Sequence, residues 1–584
     1  MYIKDIVTLW LKKLGVDTVF GIPGSYVLPI IDSVSSYGIR FILTQHEYGA
    51  ALMADGFAKA SEKVGCIITT TGIGATNALS GVINSFSDSQ PVLIITGQVP
   101  VENFGKGAMQ ESVGINRTAD LEGLFSKITK YSKIIKTVDE LLPALYEAEF
   151  NLLEKRKGPV HLCIPVDILQ SEIEFSGFKP SKNFENPVID NTELNALTQL
   201  LSESRKPLLL LGAGAKYRCN EKIVSDLAQY GLPVATSLRG KGLLDERNPM
   251  SLGCIGLYGH SHANYYLGMH ADLIIAVGIS MSEFSTQCWD RPFKKAKLIH
   301  VDIDPEQIGK VYNPTLGINM DSHEFLKYLS KLDLLQTKTW DEARDAVTAS
   351  KEKFIRKYEN IQYDCNTEGK INPVQAIRSV FKLMPEDKTV WVCDSVVWTE
   401  TNILLNGADK HIEALNQASI GYAPAASIGV KLARNSCYVV AVFGDGGFRQ
   451  TGFELATAYN YDVPVLWLNL NNEKYGSIYN AQKKYYNGNI VGTTYKAIDH
   501  VGLCKALGVD AVKVTNVYEL ELAVQSFIER ERPLLLDIQI DETLPEMKAR
   551  QLIRYQQWKF SDSAKSKDVK EQQLALKAIL DNRY

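Results

Sequence analysis

The sequence has no long uninterrupted hydrophobic run, and no stretch approaches the roughly twenty apolar residues that a membrane-spanning helix needs. It also has no paired cysteines. The nine cysteines are scattered, and none forms the C-x-x-C pair that would indicate a zinc site or a redox centre. Free thiols in a reducing compartment therefore fit better than disulfides. We expect a cytoplasmic protein that makes no membrane contact.

A basic surface is missing as well, because the formal net charge is −4 at pH 7. Proteins that bind nucleic acid usually carry clustered lysine and arginine, so we expect no nucleic-acid partner. The first residues, from Met1 to Val16, place apolar side chains at helical spacing, with charges between them and no small-residue cleavage site. This pattern predicts an amphipathic helix and not a signal peptide.

With 584 residues, the chain is too long for a single hydrophobic core. Short apolar strands alternate with helical patterns in three successive parts of similar size, which hints at duplication and predicts an α/β protein of three doubly wound parallel-sheet domains. We predict an N-terminal domain over residues 1–175, a middle domain over 188–335, a C-terminal domain over 365–545 and a polar tail over 546–584. The charged segment 337–372 is the predicted connection to the last domain.

The most informative stretch begins at Tyr438 and ends at Tyr475. A β-branched apolar run ends at Gly444-Asp445-Gly446-Gly447, and a second apolar run, from Val463 to Leu470, ends at Asn471-Asn472. Residues with helical spacing separate the two runs, so the stretch predicts a βαβ unit. Open parallel sheets bind ligands at the carboxyl ends of their strands, where these polar residues lie.

Asp445 and Asn472 are separated by about one crossover, so adjacent strands would bring their side chains together. A carboxylate, an amide oxygen and loop carbonyls suit Mg²⁺, which usually keeps few protein ligands and binds phosphates as well. Taken alone, the glycine-rich segment is as well explained by a turn, and the paired asparagines by a strand cap. Together they resemble the signature of thiamine diphosphate enzymes.

Further motifs carry the same resemblance along nearly the whole chain, from Ile3 to Glu546. They are Val19-Phe-Gly-Ile-Pro-Gly24, Gln45-His-Glu-Tyr-Gly49, Thr71-Gly-Ile-Gly-Ala-Thr-Asn77, His300-Val-Asp-Ile-Asp-Pro305 and Ile420-Gly-Tyr-Ala-Pro-Ala-Ala-Ser-Ile-Gly429. In order and spacing they resemble the acetohydroxyacid synthases among the thiamine diphosphate enzymes. The resemblance implies thiamine diphosphate and Mg²⁺ as cofactors, and a homodimer or homotetramer with active sites at the subunit interface. It also implies a small-molecule 2-keto acid donor and a carbonyl acceptor.

The resemblance also implies catalytic roles. Glu47 matches the glutamate that hydrogen-bonds the aminopyrimidine ring and so promotes loss of the proton from thiazolium C2. Ile420 matches the bulky residue that bends the cofactor, and the carbonyl of Ala418 should accept a hydrogen bond from its amino group. Gln110 matches a glutamine on the substrate side. Without the motifs, Glu47 would be interpreted as a surface or capping residue, Ile420 as core packing and Gln110 as a solvated side chain.

The remaining predicted residues bind the cofactor or its metal. By resemblance, the Mg²⁺ ligands are the Asp445 carboxylate, the Asn472 side chain and the main-chain carbonyl of Lys474. The predicted cofactor-binding residues are Pro23, Gly24, Glu47, Asn77, Ala418, Ile420, Gly444, Gly446, Gly447 and Asn472.

Departures from the family pattern bear on the subclass. Simple decarboxylases carry a His-His pair just after the position of Gln110, whereas this chain has Glu111-Ser-Val-Gly114. Without those proton donors, attack on a second carbonyl is favoured, which predicts a carboligase. Ser477 and Ala481 stand where acetohydroxyacid synthases have methionine and tryptophan, so the acceptor pocket should differ. A non-ligating decarboxylase, a lyase or hydrolase using the same cofactor, and an inactive structural relative remain alternatives.

Flavin is a separate question. Gly212-Ala-Gly214 and Gly240-Lys-Gly242 keep glycines that an FAD phosphate could use. The arginine and the Asp-Asp-Arg cluster of flavin-containing relatives are missing after Val277, so FAD is possible but less favoured than its absence. His260 and His262 are expected to be structural or surface residues and not a metal pair.

Overall fold

The structure, a computed structural model, describes residues 1–179, 187–216, 221–289, 292–358, 368–394 and 403–541. Three six-stranded sheets follow one another along the chain, and the paired strands within them run parallel. This confirms the predicted α/β class with three parallel sheets. The predicted tail over 546–584 lies outside the described residues. None of the helices in the described ranges is both long and apolar enough to cross a membrane.

The N-terminal part of the chain forms the first sheet and its flanking helices. Its elements are α1 (Ile3–Lys13), β1 (Thr18–Ile22), α2 (Leu28–Ser36), β2 (Arg40–Leu43), α3 (Glu47–Ser61), β3 (Gly65–Thr69), α4 (Ile73–Asp88), β4 (Val92–Gln98), α5 (Leu121–Phe125), β5 (Tyr131–Ile134), α6 (Leu141–Leu153), β6 (Val160–Pro165) and α7 (Val166–Leu169). The strands lie in the order β2-β1-β3-β4-β6-β5. Helix α1 is the predicted amphipathic helix, and its apolar face, including Trp10, is buried.

The middle part forms the second sheet. Its elements are α8 (Asn191–Glu203), β7 (Pro207–Leu211), α9 (Ala213–Lys216), α10 (Glu221–Gln229), β8 (Val234–Thr236), β9 (Ser251–Cys254), α11 (Ser261–Met269), β10 (Leu273–Val277), α12 (Pro292–Lys295), β11 (Lys297–Asp302), β12 (Leu316–Asn319), α13 (Ser322–Ser330), α14 (Asp333–Thr337) and α15 (Asp341–Tyr358). The strand order is β12-β11-β10-β7-β8-β9. This order differs from that of the first sheet.

The C-terminal part forms the third sheet. Its elements are α16 (Pro373–Leu383), β13 (Thr389–Cys393), β14 (His411–Glu413), α17 (Tyr422–Ala433), β15 (Tyr438–Gly444), α18 (Asp445–Thr451), α19 (Leu455–Asn460), β16 (Leu466–Asn471), α20 (Gly476–Tyr485), α21 (His500–Ala506), β17 (Asp510–Val514), α22 (Val517–Arg530) and β18 (Leu534–Gln539). The order β14-β13-β15-β16-β18-β17 matches that of the first sheet, strand for strand. The predicted βαβ unit is present, and β15 pairs directly with β16.

Helices α3 and α17 join the first and third sheets through one shared hydrophobic core. Glycines let the two backbones approach closely. A side chain on Gly56 would lie 2.5 Å from the carbonyl oxygen of Ala426, and one on Gly429 would overlap the carbonyl oxygen of Met53. The contact needs glycine at both positions, because any larger residue would push the helices apart.

Candidate active site

The N-terminal half of the site lies where β1 and β3 end and α3 begins. Glu47 is the first residue of α3 and is only 7% exposed. Its Oε2 accepts a hydrogen bond from Nδ2 of Asn77 at 3.0 Å. His46 caps the helix, since its Nδ1 accepts a hydrogen bond from the N–H of Tyr48 at 3.0 Å. The structure therefore brings the buried Glu47 together with the partly buried Asn77.

Three threonines at and just after the end of β3 lie beside this pair. The side-chain oxygens of Thr69, Thr70 and Thr71 are buried and have no hydrogen-bond partner within the described part of the chain. The predicted Gly24 packs on Thr70, where an added side chain would come within 2.5 Å, and Pro23 before it is exposed. Because buried polar groups are normally satisfied, this edge of the sheet suits a polar ligand.

Gln110 lies in a loop that Glu111 holds in shape. Gln110 is exposed and has a positive φ of 64°. The buried Glu111 carboxylate accepts hydrogen bonds from the N–H groups of Gly107 at 2.9 Å and Ala108 at 3.2 Å, and from that of Gly105. Sequence reasoning noticed Glu111 only as the residue that replaces a histidine. The structure adds an anchoring role within the loop.

The C-terminal half of the site lies at the carboxyl ends of three adjacent strands. Asp394 follows β13, Asp445 follows β15, and Asn472 follows β16. Asp394 accepts a hydrogen bond from the N–H of Gly421 at 2.8 Å, and Tyr495 donates its hydroxyl to Oδ2 of Asp445 at 2.6 Å. Asp394 and Tyr495 were absent from the sequence predictions. Asp394 obeys the same strand-end rule as Asp445 and could have been found by it.

The surroundings of Asp445 include the backbone of Asn472. Burial raises the pKa of Asp445 above its usual range, while the Tyr495 hydroxyl, the nearby His500 and the backbone N–H of Asn472 act in the opposite direction. Burial and the bond to Asp445 raise the pKa of the Tyr495 phenol. A buried carboxylate surrounded by donors is a strong hard-oxygen ligand for a cation that displaces them.

Close packing explains why glycines follow β15 at positions 446 and 447. A side chain on Gly446 would come within 2.7 Å of the Tyr475 ring, and one on Gly447 within 2.7 Å of Oδ2 of Asp394. Gly444 has open space, since an added Cβ would lie 3.9 Å from the nearest atom, the carbonyl oxygen of Leu470. The start of α18 is therefore buried and closely packed, and neither Gly446 nor Gly447 has room for a side chain.

The predicted residues just before α17 and beyond β16 occupy distinct environments. Ala418 has a positive φ of 48°, a strained conformation for alanine. Ile420 is 45% exposed, and its carbonyl accepts the hydroxyl of Tyr48 at 3.1 Å. Lys474 forms an isolated antiparallel bridge with Thr494. No hydrogen bond or ion pair within the described ranges connects Glu47 with Asp445.

Comparison with known proteins identifies the class. Three family models match the chain, described as the N-terminal TPP binding domain, the central domain and the C-terminal TPP binding domain of thiamine pyrophosphate enzymes, over residues 1–119, 194–329 and 392–538. The chain belongs to the thiamine pyrophosphate enzymes.

Within that family it is similar to acetolactate synthase large subunits. It is 31% identical to the probable acetolactate synthase large subunit of Methanocaldococcus jannaschii over 92% of this chain and 91% of the relative. It is 31% identical to the acetolactate synthase large subunit of Lactococcus lactis, covering 92% of each. Isozyme 3 of Escherichia coli is 30% identical, over 92% of this chain and 94% of the relative.

The residues present fit thiamine diphosphate and Mg²⁺. Threonine hydroxyls that have no hydrogen-bond partner in the described part of the chain lie beside Glu47 in one half. In the other half, a buried carboxylate lies beside the backbone of Asn472 and the glycine turn at the start of α18. The first half offers polar groups for an aminopyrimidine ring. The second offers oxygen ligands and backbone N–H groups at a helix start, which suit a cation and a diphosphate.

Proposed function

We propose that this protein is a carboligase that decarboxylates a 2-keto acid, most simply pyruvate, and transfers the two-carbon unit to a carbonyl acceptor. The acceptor would be a second 2-keto acid, a ketone or a keto-sugar. The observation that carries the proposal is the buried Glu47, held by Asn77 at 3.0 Å, in a chain that is similar to acetolactate synthases along most of its length.

The main predicted residues have separate tasks in this proposal. Thiamine diphosphate, when bound, supplies the stabilisation of the carbanion that decarboxylation generates. Glu47 would hold and move a proton where the aminopyrimidine ring binds, and Ile420 would supply the apolar side chain that packs against the bound cofactor. Asp445, the Asn472 side chain and the Lys474 carbonyl hold Mg²⁺, and the backbone at Gly444, Gly446 and Gly447 receives the diphosphate.

One local feature favours ligation over simple aldehyde release, and a second bears on the identity of the acceptor. The position after Gln110 is Glu111, whose carboxylate is engaged by backbone N–H groups, so it supplies no imidazole-like proton donor there. On α20, Ser477 is exposed and Ala481 is buried, and both are smaller than the residues expected from the family. A wider or differently shaped acceptor pocket follows, which argues against a role with 2-ketobutyrate and for a different or larger acceptor.

Subunit pairing is part of the proposal. Large apolar side chains are exposed near both halves of the site, with Met109 71% and Ile420 45% exposed in the single chain. Exposed apolar side chains around a polar site are typical of surfaces that another chain covers. We propose a homodimer or homotetramer in which Glu47 of one chain serves a cofactor held by Asp445 of another, and we assign it to the cytoplasm.

FAD receives little support. Gly212 packs on the backbone of Gly278, and Gly242, at a φ of 87°, packs on that of Gly407, so close packing accounts for these glycines. A cavity of about 1330 Å³, its open mouth included, lies beside Gly214 and Arg156. The comparisons support thiamine diphosphate alone. The visible absorption spectrum of the purified protein decides whether flavin is present.

The first test is incubation of the protein with ¹³C-pyruvate, thiamine diphosphate and Mg²⁺, with and without added ketones, read by NMR. We expect labelled acetolactate or a branched tertiary alcohol. Free acetaldehyde without a coupled product would make the protein a decarboxylase. Glu47→Gln should abolish carboligation while the cofactor still binds, and full turnover by this variant would refute the proton-relay role.

A second test concerns the metal site. Asp445→Ala should remove Mg²⁺-dependent binding of thiamine diphosphate in a calorimetric titration, because it deletes the buried carboxylate at the end of β15. Asp510→Ala, at the exposed start of β17, is the matched control and should titrate like the unaltered protein. Unchanged binding by Asp445→Ala would exclude this residue as a ligand.

A further inference from the structure

Glu454 is a buried acidic residue that no part of the predicted site includes. It ends the short turn before α19, and its side chain is nearly fully buried, at 1% exposure of the residue. Its Oε1 accepts a hydrogen bond from the N–H of His46 at 2.9 Å, and its Oε2 accepts one from the N–H of Gln45 at 3.1 Å. Gln45 and His46 are the two residues directly before Glu47.

The contact is built tightly from both domains. Thr457, on α19, donates its hydroxyl to Oε2 of Glu454 at 2.9 Å. On the facing helix α3, a side chain at Gly49 would overlap the Glu454 carboxylate, so the helix leaves a notch in which that carboxylate lies. No lysine or arginine forms an ion pair with Glu454 within the described residues, and the donors that satisfy it are these hydrogen-bond partners.

Such a carboxylate is costly to bury, because no cation in the described ranges pairs with it to compensate the loss of hydration. Burial raises the pKa of Glu454 to about 7, the nearby charge of Glu47 acts in the same direction, and the bonds from Gln45, Thr457 and His46 oppose it. An apolar side chain could fill this space without that cost. It could not orient the two N–H groups that precede Glu47.

We propose that Glu454 is a positioning residue that fixes the start of α3, and with it the Glu47 carboxylate, from the C-terminal domain. The inference rests on the proposed proton-relay role of Glu47. Two further hydrogen bonds hold the same turn of α3. The Tyr48 hydroxyl donates to the carbonyl of Ile420, and Nδ2 of Asn77 donates to the Glu47 carboxylate. Misplacement of a reacting group by about 1 Å can cost about 100-fold in rate, so this anchoring has catalytic consequences.

The first arm of the test needs no cofactor. Hydrogen–deuterium exchange of the apoprotein, followed by mass spectrometry, is measured for the unaltered protein, Glu454→Gln and Glu454→Ala. We expect the amides of Gln45 and His46 to exchange at least about tenfold faster in Glu454→Ala, because their acceptors are gone. Glu454→Gln keeps one acceptor oxygen and should lie between. Unchanged exchange at these two amides overturns the proposal.

The second arm separates positioning from domain docking. Tyr461→Phe is the matched control, because the Tyr461 hydroxyl accepts the N–H of Leu43 at 2.8 Å across the same interface, in β2 and not in α3. For the Glu454 variants with bound cofactor, we expect kcat to fall about 10-fold with Gln and about 100-fold with Ala, with KM and cofactor affinity within about twofold. Tyr461→Phe should keep its kcat.

The outcomes distinguish this inference from the proposed function. If Glu47→Gln abolishes turnover but the Glu454 variants keep kcat, the positioning role is wrong and the proposed function stands. If Tyr461→Phe loses as much kcat as Glu454→Gln, general domain docking explains the effect and the positioning role is again wrong. If Glu47→Gln turns over normally, the proposed function fails, and the exchange arm still reports whether Glu454 holds the start of α3.

Discussion

His161 has an environment that makes the stability of the N-terminal domain depend on pH. The ring lies in β6, 2.9 Å from the hydroxyl of Thr96 through Nε2 and 2.9 Å from that of Ser132 through Nδ1. It stacks on Phe125 with the ring centroids 4.0 Å apart. Burial lowers the pKa of His161 to about 3, so the folded protein keeps the ring neutral.

The unfolded chain binds this proton near its ordinary pKa of 6.5, so acidification favours unfolding between pH 6.5 and about 3. The loss amounts to about 2 kcal/mol by pH 5. We expect the melting temperature to fall less between pH 7 and pH 5 in His161→Gln than in the unaltered protein. Ser132→Ala, which removes a hydrogen bond but no titrating group, should lower it equally at both pH values. An unchanged pH response in His161→Gln would contradict the assignment.

Single site residues could be predicted where chain-local rules apply. Asp445 and Asn472 follow buried strands, and in the structure these strands are adjacent, as the rule that parallel strands end at one edge requires. That their side chains bind one metal ion stays a prediction. Glu111, Glu454 and Tyr495 could not be found this way, because their partners lie in loops or domains that sequence spacing does not relate. In the sequence, Glu454 resembles any acidic residue in an amphipathic helix. Only the structure shows that it accepts hydrogen bonds from the N–H groups of Gln45 and His46. The catalytic roles themselves stay predictions.

At the scale of elements, the contact between α3 and α17 predicts that a glycine-to-alanine change inside a helix lowers stability, the opposite of its usual effect. Alanine in place of glycine inside a helix normally stabilises by about 0.5–1 kcal/mol. At Gly429 the added carbon would overlap the Met53 carbonyl, and overpacking costs about 1–3 kcal/mol, so we expect Gly429→Ala to lower the melting temperature.

The control for this change is Gly158→Ala, where the new carbon meets only the side-chain carbons of Lys130, which can move. It should change the melting temperature little. If the Gly429→Ala protein were as stable as the unaltered chain, the two helices would have room for a methyl group where they cross.

The types of the elements were predictable, because apolar runs and helical spacing are local features of the sequence. Some element boundaries were not predictable. The second strand of the βαβ unit was expected to begin at Val463 and begins at Leu466. Pro464 explains the shift, since it has no N–H to donate to the neighbouring strand. The crossing of α3 on α17 also lay beyond prediction, because it depends on which two of many small-residue helices meet.

At the scale of the whole molecule, co-expression of two inactive variants tests whether each active site is built from two chains. Co-expressed Glu47→Gln and Asp445→Ala chains that pair at random form mixed dimers in about half of cases, each with one intact site, so about a quarter of normal activity should return. Co-expression of Glu47→Gln with itself is the control and should stay inactive. Absence of any recovery would mean that each chain completes its own site.

Three parallel sheets in sequence were predictable from the alternation of patterns, and the strand orders were not. The order in each sheet depends on contacts between strands far apart in the chain, for which spacing gives no signal. The predicted domain boundaries stay predictions.

The helix contact described above also has a meaning for ancestry. Helices α3 and α17 each follow the second strand of sheets that share one strand order. Gly56 lies three residues after Met53, and Gly429 three after Ala426, so the pairs Gly56–Ala426 and Gly429–Met53 are reciprocal. Reciprocal contacts are the mark of a two-fold interface between identical subunits. This is the arrangement that a fused ancestral homodimer would leave, with formerly equal halves specialised for the carboxylate of Glu47 and for the carboxylate of Asp445.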